Sequence, residues 1–261
     1  MKRMVTRTLF SFLAALGLMA AGASAQHAPP GVDPTHYWTY HILDPLPEPA
    51  PIFVRDQFHL TPLPLTVRER VRLLNWVHKN ESPVPDTVLH YTWWDLLEKP
   101  PVFKDAIVTN QFGQYLVRLL NVEFLLTPAL KNFTAPGLPY ANHYLCYRAV
   151  GFPGPPSIYL FRDEWRVDQA RPLDIEFLCN PCIKQHAGQI YTPPEPMKHL
   201  AVYPLDVTSE LFAPFLRDQF QDYPHHVQQL PREYLFVPSL KQEIPTSTRQ
   251  DTWGRLKQLY R

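Results

Sequence analysis

Glycine is scarce in this chain: nine residues in 261, against thirty prolines, although glycine is ordinarily the commoner of the two. So few glycines leave no room for a glycine-rich phosphate cradle, and none of the nucleotide-binding fingerprints is present. Proline without glycine implies stiff, extended connections rather than loose ones. Cysteine is also rare, with three residues, which excludes a small scaffold held mainly by disulfides. The formal net charge is only +1, and it turns slightly acidic without Lys2, Arg3 and Arg7. A general attraction to nucleic acid or to anionic membranes is therefore not expected.

Long apolar runs are missing apart from residues 9–21, which follow those three cations and precede Ala23, Ser24 and Ala25. That is the layout of a cleavable secretory signal of bacterial type, with the mature chain starting at Gln26. No later segment has about 18 uninterrupted apolar residues, so no transmembrane anchor is expected after cleavage. The expected location is secreted, periplasmic or extracellular.

What the chain does have is a period. Strand-like openings begin at His36, His90, His143 and His199, in steps of 54, 53 and 56 residues. Asp56, Asn110, Asp163 and Asp218 follow, with Gln-Phe after three of them and Glu164-Trp165 after Asp163. Lys79, Lys131, Lys184 and Lys241 close the four segments. Three markers sharing one period signal a repeat architecture. Proline clusters at 45–51, 83–85, 100–101, 153–156 and 193–196 fall between the markers, where they punctuate strands.

The openings are rich in aromatic and β-branched residues. Their alternation puts Tyr37/Thr39, Tyr91/Trp93, Tyr144/Cys146 and Leu200/Val202 on one face, which is expected to be the core side. The opposite face carries each histidine with Tyr40, Trp94, Tyr147 or Tyr203. The lysine runs contain Pro128, Pro181 and Pro238 three residues before the lysine, and Trp76 in the first.

The expected fold is all-β: four tandem repeats of about 53 residues, packed as paired β-sandwich or barrel-like units divided near residue 138, with a four-bladed propeller-like ring as the alternative. Residues 26–138 would hold repeats 1 and 2, residues 139–245 repeats 3 and 4, and residues 246–261 a tail able to form a short helix carrying Trp253, Leu256 and Tyr260.

Four histidines could converge on a metal, but a residue present in every repeat is expected to serve the repeat, here by bonding the Asp or Asn of a neighbouring strand end. Cys179 and Cys182 have redox spacing, and with His186 they resemble half of a zinc site that would have to recruit His199 or His143. Against both, Cys146 and Cys179 appear together in one repeat where the other three have apolar or neutral residues, as a cross-strand disulfide in an oxidising compartment would. Asp163/Glu164, and Asp222 with His225 and His226, are the carboxylate and histidine sets open to catalysis, with nothing in their spacing to fix a geometry. Neither cofactor nor metal is expected.

His143-Tyr-Leu-Cys-Tyr147, Asn110-Gln-Phe-Gly113, Asp218-Gln-Phe220 and Leu178-Cys-Asn-Pro-Cys-Ile-Lys184 resemble the repeat of an uncharacterised family of secreted bacterial proteins built on His-Leu-x-Cys-Tyr, Asp-Gln-Phe-Gly and Leu-Cys-x-Pro-x-x-Lys. The resemblance spans residues 35–243 and implies a secreted β repeat, without an activity. The functional expectation is a non-enzymatic structural or protein-binding module at the cell surface or in an extracellular assembly, whose partner is another protein. The competing expectation is an extracytoplasmic hydrolase with a site in the inter-repeat cleft.

Overall fold

The structure is a computed structural model that describes residues 35–43, 47–80, 89–131, 138–151, 153–206, 210–212, 215–217, 222–224, 227–229 and 233–244. The signal segment, Asp218 and the C-terminal tail lie outside the described residues. All regular structure among the described residues is strand. The first half contains β1 (His36–Ile42), β2 (Pro47–Arg55), β3 (Leu63–Lys79), β4 (His90–Leu96), β5 (Pro101–Asn110) and β6 (Gly113–Lys131). The second contains β7 (His143–Val150), β8 (Tyr159–Arg162), β9 (Val167–Ala170), β10 (Phe177–His186), β11 (Gln189–Tyr191), β12 (His199–Pro204), β13 (Glu210–Phe212), β14 (Phe215–Arg217), β15 (Asp222–Pro224), β16 (Val227–Gln229) and β17 (Tyr234–Glu243).

Eight strands close on themselves through antiparallel ladders in the order β1, β3, β4, β6, β7, β10, β12, β17 and back to β1. The sheet is thus continuous, rather than divided into two sandwiches or four separate blades. Across residue 138 the ladder runs on, with Leu125 facing Leu145, and closure comes from Tyr37 facing Phe236. A closed ring removes the exposed edges that separate sandwiches would each have to protect.

Register repeats within the ring. His36 faces Val77, His90 faces Ala129, His143 faces Cys182 and His199 faces Ser239, each partner lying two residues before the closing lysine. The remaining strands form arms that fold back on the ring. Each arm runs beside a lysine contributed from two segments away: Val54 faces Lys184, Val108 faces Lys241, Phe161 faces Lys79 and Leu216 faces Lys131.

This switching of partners explains the prolines. Pro181 lies between Cys179, which pairs with β12, and Ile183, which pairs with β2. Pro238 lies between Phe236, paired with β1, and Leu240, paired with β5. Pro128 lies between Leu126, paired with β7, and Leu130, paired with β14. At each gap the ladder offers a backbone N–H no acceptor, so a residue without one fits. These prolines are therefore mid-strand features. Strands β3 and β6 are long, of 17 and 19 residues, because one half of each builds the ring and the other half pairs with an arm.

Both faces of the ring are buried. Tyr37, Leu74, Tyr91, Trp93, Phe124, Leu126, Tyr144, Phe177, Leu200 and Phe236 gather in one cluster. Phe124 and Phe236, from strands on opposite sides of the ring, bring their centroids to 6.5 Å, so this cluster is the enclosed one. The other face, with Trp38, Tyr40, Trp94, Tyr147 and Tyr203, packs under the arm residues Ile52, Val54, Ala106, Val108, Tyr159 and Phe161. The histidine face was expected to be the wetter one. It is buried because the arms lie over it.

Candidate functional site: the buried histidine, lysine and carboxylate clusters

The four closing lysines are all buried, and an ammonium group taken out of water needs compensation. Aromatic rings supply part of it. Lys79 lies over Phe112 at 4.9 Å and Tyr159 at 4.4 Å, Lys131 over Trp165 at 4.4 Å, Lys184 over Tyr191 at 4.7 Å and Lys241 over Phe58 at 3.7 Å. Phe112, Trp165 and Phe58 come from the motif of the segment that follows the lysine's own, with the fourth segment returning to the first. Burial lowers Lys79 and Lys131 to about 8, in the second case against the pull of Asp163. It lowers Lys241 to about 7 despite Glu243 and Asp56.

The histidines use the same neighbour. His36 meets the side-chain amide of Gln111, and His199 meets that of Gln57 at 2.9 Å. Turned so that its oxygen accepts from both His199 and Lys241, the Gln57 amide also donates to Glu243 at 3.2 Å. For these two histidines the side-chain partner is the glutamine that follows the Asp or Asn. Burial, followed by the charge of Lys241, holds His199 near 3. His90 is pushed well below its ordinary value by burial and by Lys131.

Asp56, Asn110 and Asp163 are buried and work in two directions. One oxygen of each caps the turn that follows. Asp56 Oδ1 accepts from the backbone N–H of Phe58 and His59, both at 2.9 Å. Asn110 Oδ1 accepts from Phe112 at 2.8 Å, and Asp163 Oδ1 from Trp165 at 2.8 Å and Arg166 at 3.0 Å. The other end reaches the segment two away. Asp56 Oδ2 accepts from the Tyr147 hydroxyl at 2.6 Å and from Asn180 Nδ2 at 3.1 Å. Asn110 Nδ2 donates to the Tyr203 hydroxyl at 2.9 Å and to Ser239 Oγ at 3.2 Å. Asp163 Oδ2 accepts from Trp38 Nε1 and the Tyr40 hydroxyl, both at 2.7 Å, and from Asn75 Nδ2 at 2.6 Å. Burial pushes the Asp56 carboxyl up, but the donors His59, Tyr147 and Asn180 outweigh it and hold the group below the usual range.

The markers therefore interlock: His36, His199, Lys79, Lys131 and Lys241 hold the next segment, and the carboxylate or amide holds the one opposite. Sequence spacing found the markers but missed the residues that receive them, namely Gln57, Gln111, Phe58, Phe112, Asn75 and Asn180. The Gln-Phe pairs and the asparagines four residues before Lys79 and Lys184 were the available signal. Tyr40, Tyr147 and Tyr203 were placed on the correct face without their partners.

Cys146 and Cys179 form a disulfide, with Cα atoms 3.9 Å apart. This is closer than the roughly 5.5 Å typical of disulfides, because the two residues sit directly opposite in adjacent strands. Cys182 is a buried thiol in the other cluster, raised by burial and by Asp56. Cys179 and Cys182 thus face opposite sides of the sheet, which sets aside both the vicinal redox pair and the zinc half-site. The bridge spans a sequence separation of 33 residues, so it should contribute about 3.5 kcal/mol through the unfolded chain. Replacing both cysteines with alanine is expected to lower the urea midpoint accordingly. An unchanged midpoint would mean that the bridge does not constrain the unfolded state.

Glu164, singled out for catalysis, is engaged with Lys131 and with Asn75 Nδ2 at 2.8 Å. His225 and His226 lie outside the described residues. Among the described residues no group of three or more His, Cys, Asp or Glu is placed to hold a metal ion. No family model, curated protein or solved structure matches this chain.

Proposed function

We propose that the chain is a secreted scaffold of four repeats of about 53 residues, each giving two strands to one closed, barrel-like ring and one arm to its outside, and that it acts by binding another protein in an extracellular assembly. The observation that carries this reading is the use made of the chemically active residues. Asp56, Asn110, Asp163, His36, His199, Lys79, Lys131 and Lys241 are buried and engaged in contacts between segments, and Lys184 is buried against Tyr191. A disulfide between ring strands suits an oxidising compartment. The resemblance to secreted bacterial β-repeat proteins points the same way.

The contact face we assign lies on β2, β10 and β11. There Phe53, Gln185 and Ile190 stand in one cross-strand row, Phe53 and Ile190 being exposed. Beside them Leu60 and Met197, 78% and 62% exposed, border Pro193 and Pro196. Large exposed apolar residues grouped in this way mark contact sites more often than chance surface exposure does.

The test is affinity capture of the native protein from the secreted fraction after mild cross-linking. A defined partner is expected with the wild type, and with Asp168→Asn or His186→Gln, and is expected to be lost with Leu60→Glu combined with Met197→Glu. Turnover of a substrate by the purified protein, abolished by Glu164→Gln with the fold intact, would replace the scaffold by the hydrolase.

A further inference from the structure

Among the four segments the third is chemically odd: its motif reads Asp163-Glu164-Trp165 where the others have Asp or Asn followed by Gln-Phe. Glu164 stands where Gln57 and Gln111 stand in the first and second segments. Those amides receive His199 and His36 and cannot take up a proton at neutral pH. A carboxylate at this position can.

Three groups from three segments converge on it. The Glu164 carboxylate contacts the Lys131 ammonium, and the same oxygen, Oε1, accepts from Asn75 Nδ2 at 2.8 Å. Lys131 Nζ is also 3.1 Å from Asn75 Oδ1. Asn75 is fully buried and Lys131 is 3% exposed. Trp165 covers the lysine, while Trp38 and Tyr40 bond to the neighbouring Asp163. A primary amine and a carboxamide are thus buried side by side beneath a solvent-exposed carboxyl group, each of the three within hydrogen-bond reach of the other two.

We propose that Lys131 and Asn75 form an intramolecular isopeptide bond, with Glu164 as the proton carrier. The Glu164 carboxylate takes a proton from the Lys131 ammonium, and the freed lone pair of Nζ attacks Asn75 Cγ. The new C–N bond forms as the C=O π electrons move onto Oδ1. When they return, the Cγ–Nδ2 bond breaks and its electron pair leaves with nitrogen. The two protons that Nζ loses both end on that nitrogen, one of them carried by Glu164, so that ammonium departs and the carboxylate is restored. No oxidant or second substrate is needed.

The environment favours each part of this step. Burial already lowers Lys131 to about 8, so neutral amine is available near physiological pH. Glu164 Oε1 touches both the nucleophile and the leaving nitrogen, which is where a single group must stand to serve as base and then as acid. Fixed side chains in a packed interior replace a bimolecular encounter by an intramolecular one. The Lys241 cluster lacks the proton carrier: Asn180 bonds Asp56 as Asn75 bonds Asp163, but the group facing the lysine is the amide of Gln57. Lys241 is accordingly expected to stay free. The bond would join β3 to β6 and so lock the first segment to the second. This inference does not depend on the scaffold reading, since it concerns the chain's own maturation.

The test is mass spectrometry of the reduced and alkylated recombinant protein digested with trypsin. A branched peptide is expected in which residues 73–79 are attached to a peptide uncut after Lys131, about 17 Da lighter than the sum of its two parts. Glu164→Gln, which installs the residue found in the other segments, should restore cleavage after Lys131, as should Asn75→Thr. Recovery of Asn75 and Lys131 in separate linear peptides from the folded wild type would overturn the proposal. So would a branch joining Lys131 to Glu164 with loss of about 18 Da.

Discussion

Asp163→Ala is expected to abolish stable folding, or to lower the unfolding midpoint more than any other single carboxylate substitution in this protein. Asp163 Oδ2 accepts from Trp38 Nε1, the Tyr40 hydroxyl and Asn75 Nδ2, while Oδ1 caps the turn at Trp165 and Arg166. Removing the carboxylate leaves three fully buried donors without that acceptor. At about 1–3 kcal/mol for each stranded group, the loss is on the order of 5 kcal/mol, comparable with the whole stability of many domains. Asp163→Asn should cost less but still be visible. The second segment tolerates an amide at this place because Asn110 faces hydroxyls that accept, those of Tyr203 and Ser239. Asp163 faces the indole N–H of Trp38 and the amide of Asn75, which only donate in this arrangement. Far-UV circular dichroism with urea titration reads both variants. An Asp163→Ala protein unfolding at the wild-type midpoint would show that the bridge between the first and third segments is not a structural necessity.

The same contrast between Asp163 and Asn110 shows how far the sequence could be read. The alternation of the openings, the lysine runs and the joint appearance of Cys146 and Cys179 are local or pairwise patterns, and they led directly to an all-β chain and to the disulfide. Which strand lies beside which is set by non-local pairing. Nothing in the residues 36–42 announces that β1 will meet β17 at the far end of the chain, yet Tyr37 facing Phe236 is what closes the ring. At His36 and His199 the side-chain partner is the residue after the expected Asp or Asn. Asp56 and Asn110 are already occupied by their own turns and by the opposite segment, and these two imidazoles take the adjacent glutamine. Glu164 stood out in the sequence as an exception, but an exception becomes chemistry only when Lys131 and Asn75, 56 residues apart along the chain, are brought to the same point.

Buried lysines should also give the protein an alkaline stability optimum. Lys79 and Lys241 are 5% and 7% exposed, and burial lowers them from an ordinary value of 10.5 to about 8 and about 7. Between those values and 10.5 the unfolded chain holds protons on these amines that the folded chain has released. Stability therefore rises with pH through this window. The two lysines together are worth on the order of 5 kcal/mol across it. Above pH 10 the sign reverses, because burial raises Tyr40, Tyr91, Tyr147 and Tyr203. Those tyrosines ionise in the unfolded chain first, so stability then falls. On the acid side His199, held near 3, binds its proton in the unfolded chain from about pH 6.5 downward, which again disfavours the folded state as pH drops. Urea midpoints at pH 6, 7, 8, 9 and 10 should therefore climb from neutral to about pH 9–10, instead of peaking between 5 and 8 as most domains do. Lys241→Met should flatten the climb and raise the midpoint at pH 7, because the variant keeps the apolar stem beneath Phe58 and has no ammonium to desolvate. A wild-type midpoint that is level or falling from pH 7 to 9 would mean that Lys79 and Lys241 reach water in the folded protein, and that the interlocking of segments around them is not what holds the ring closed.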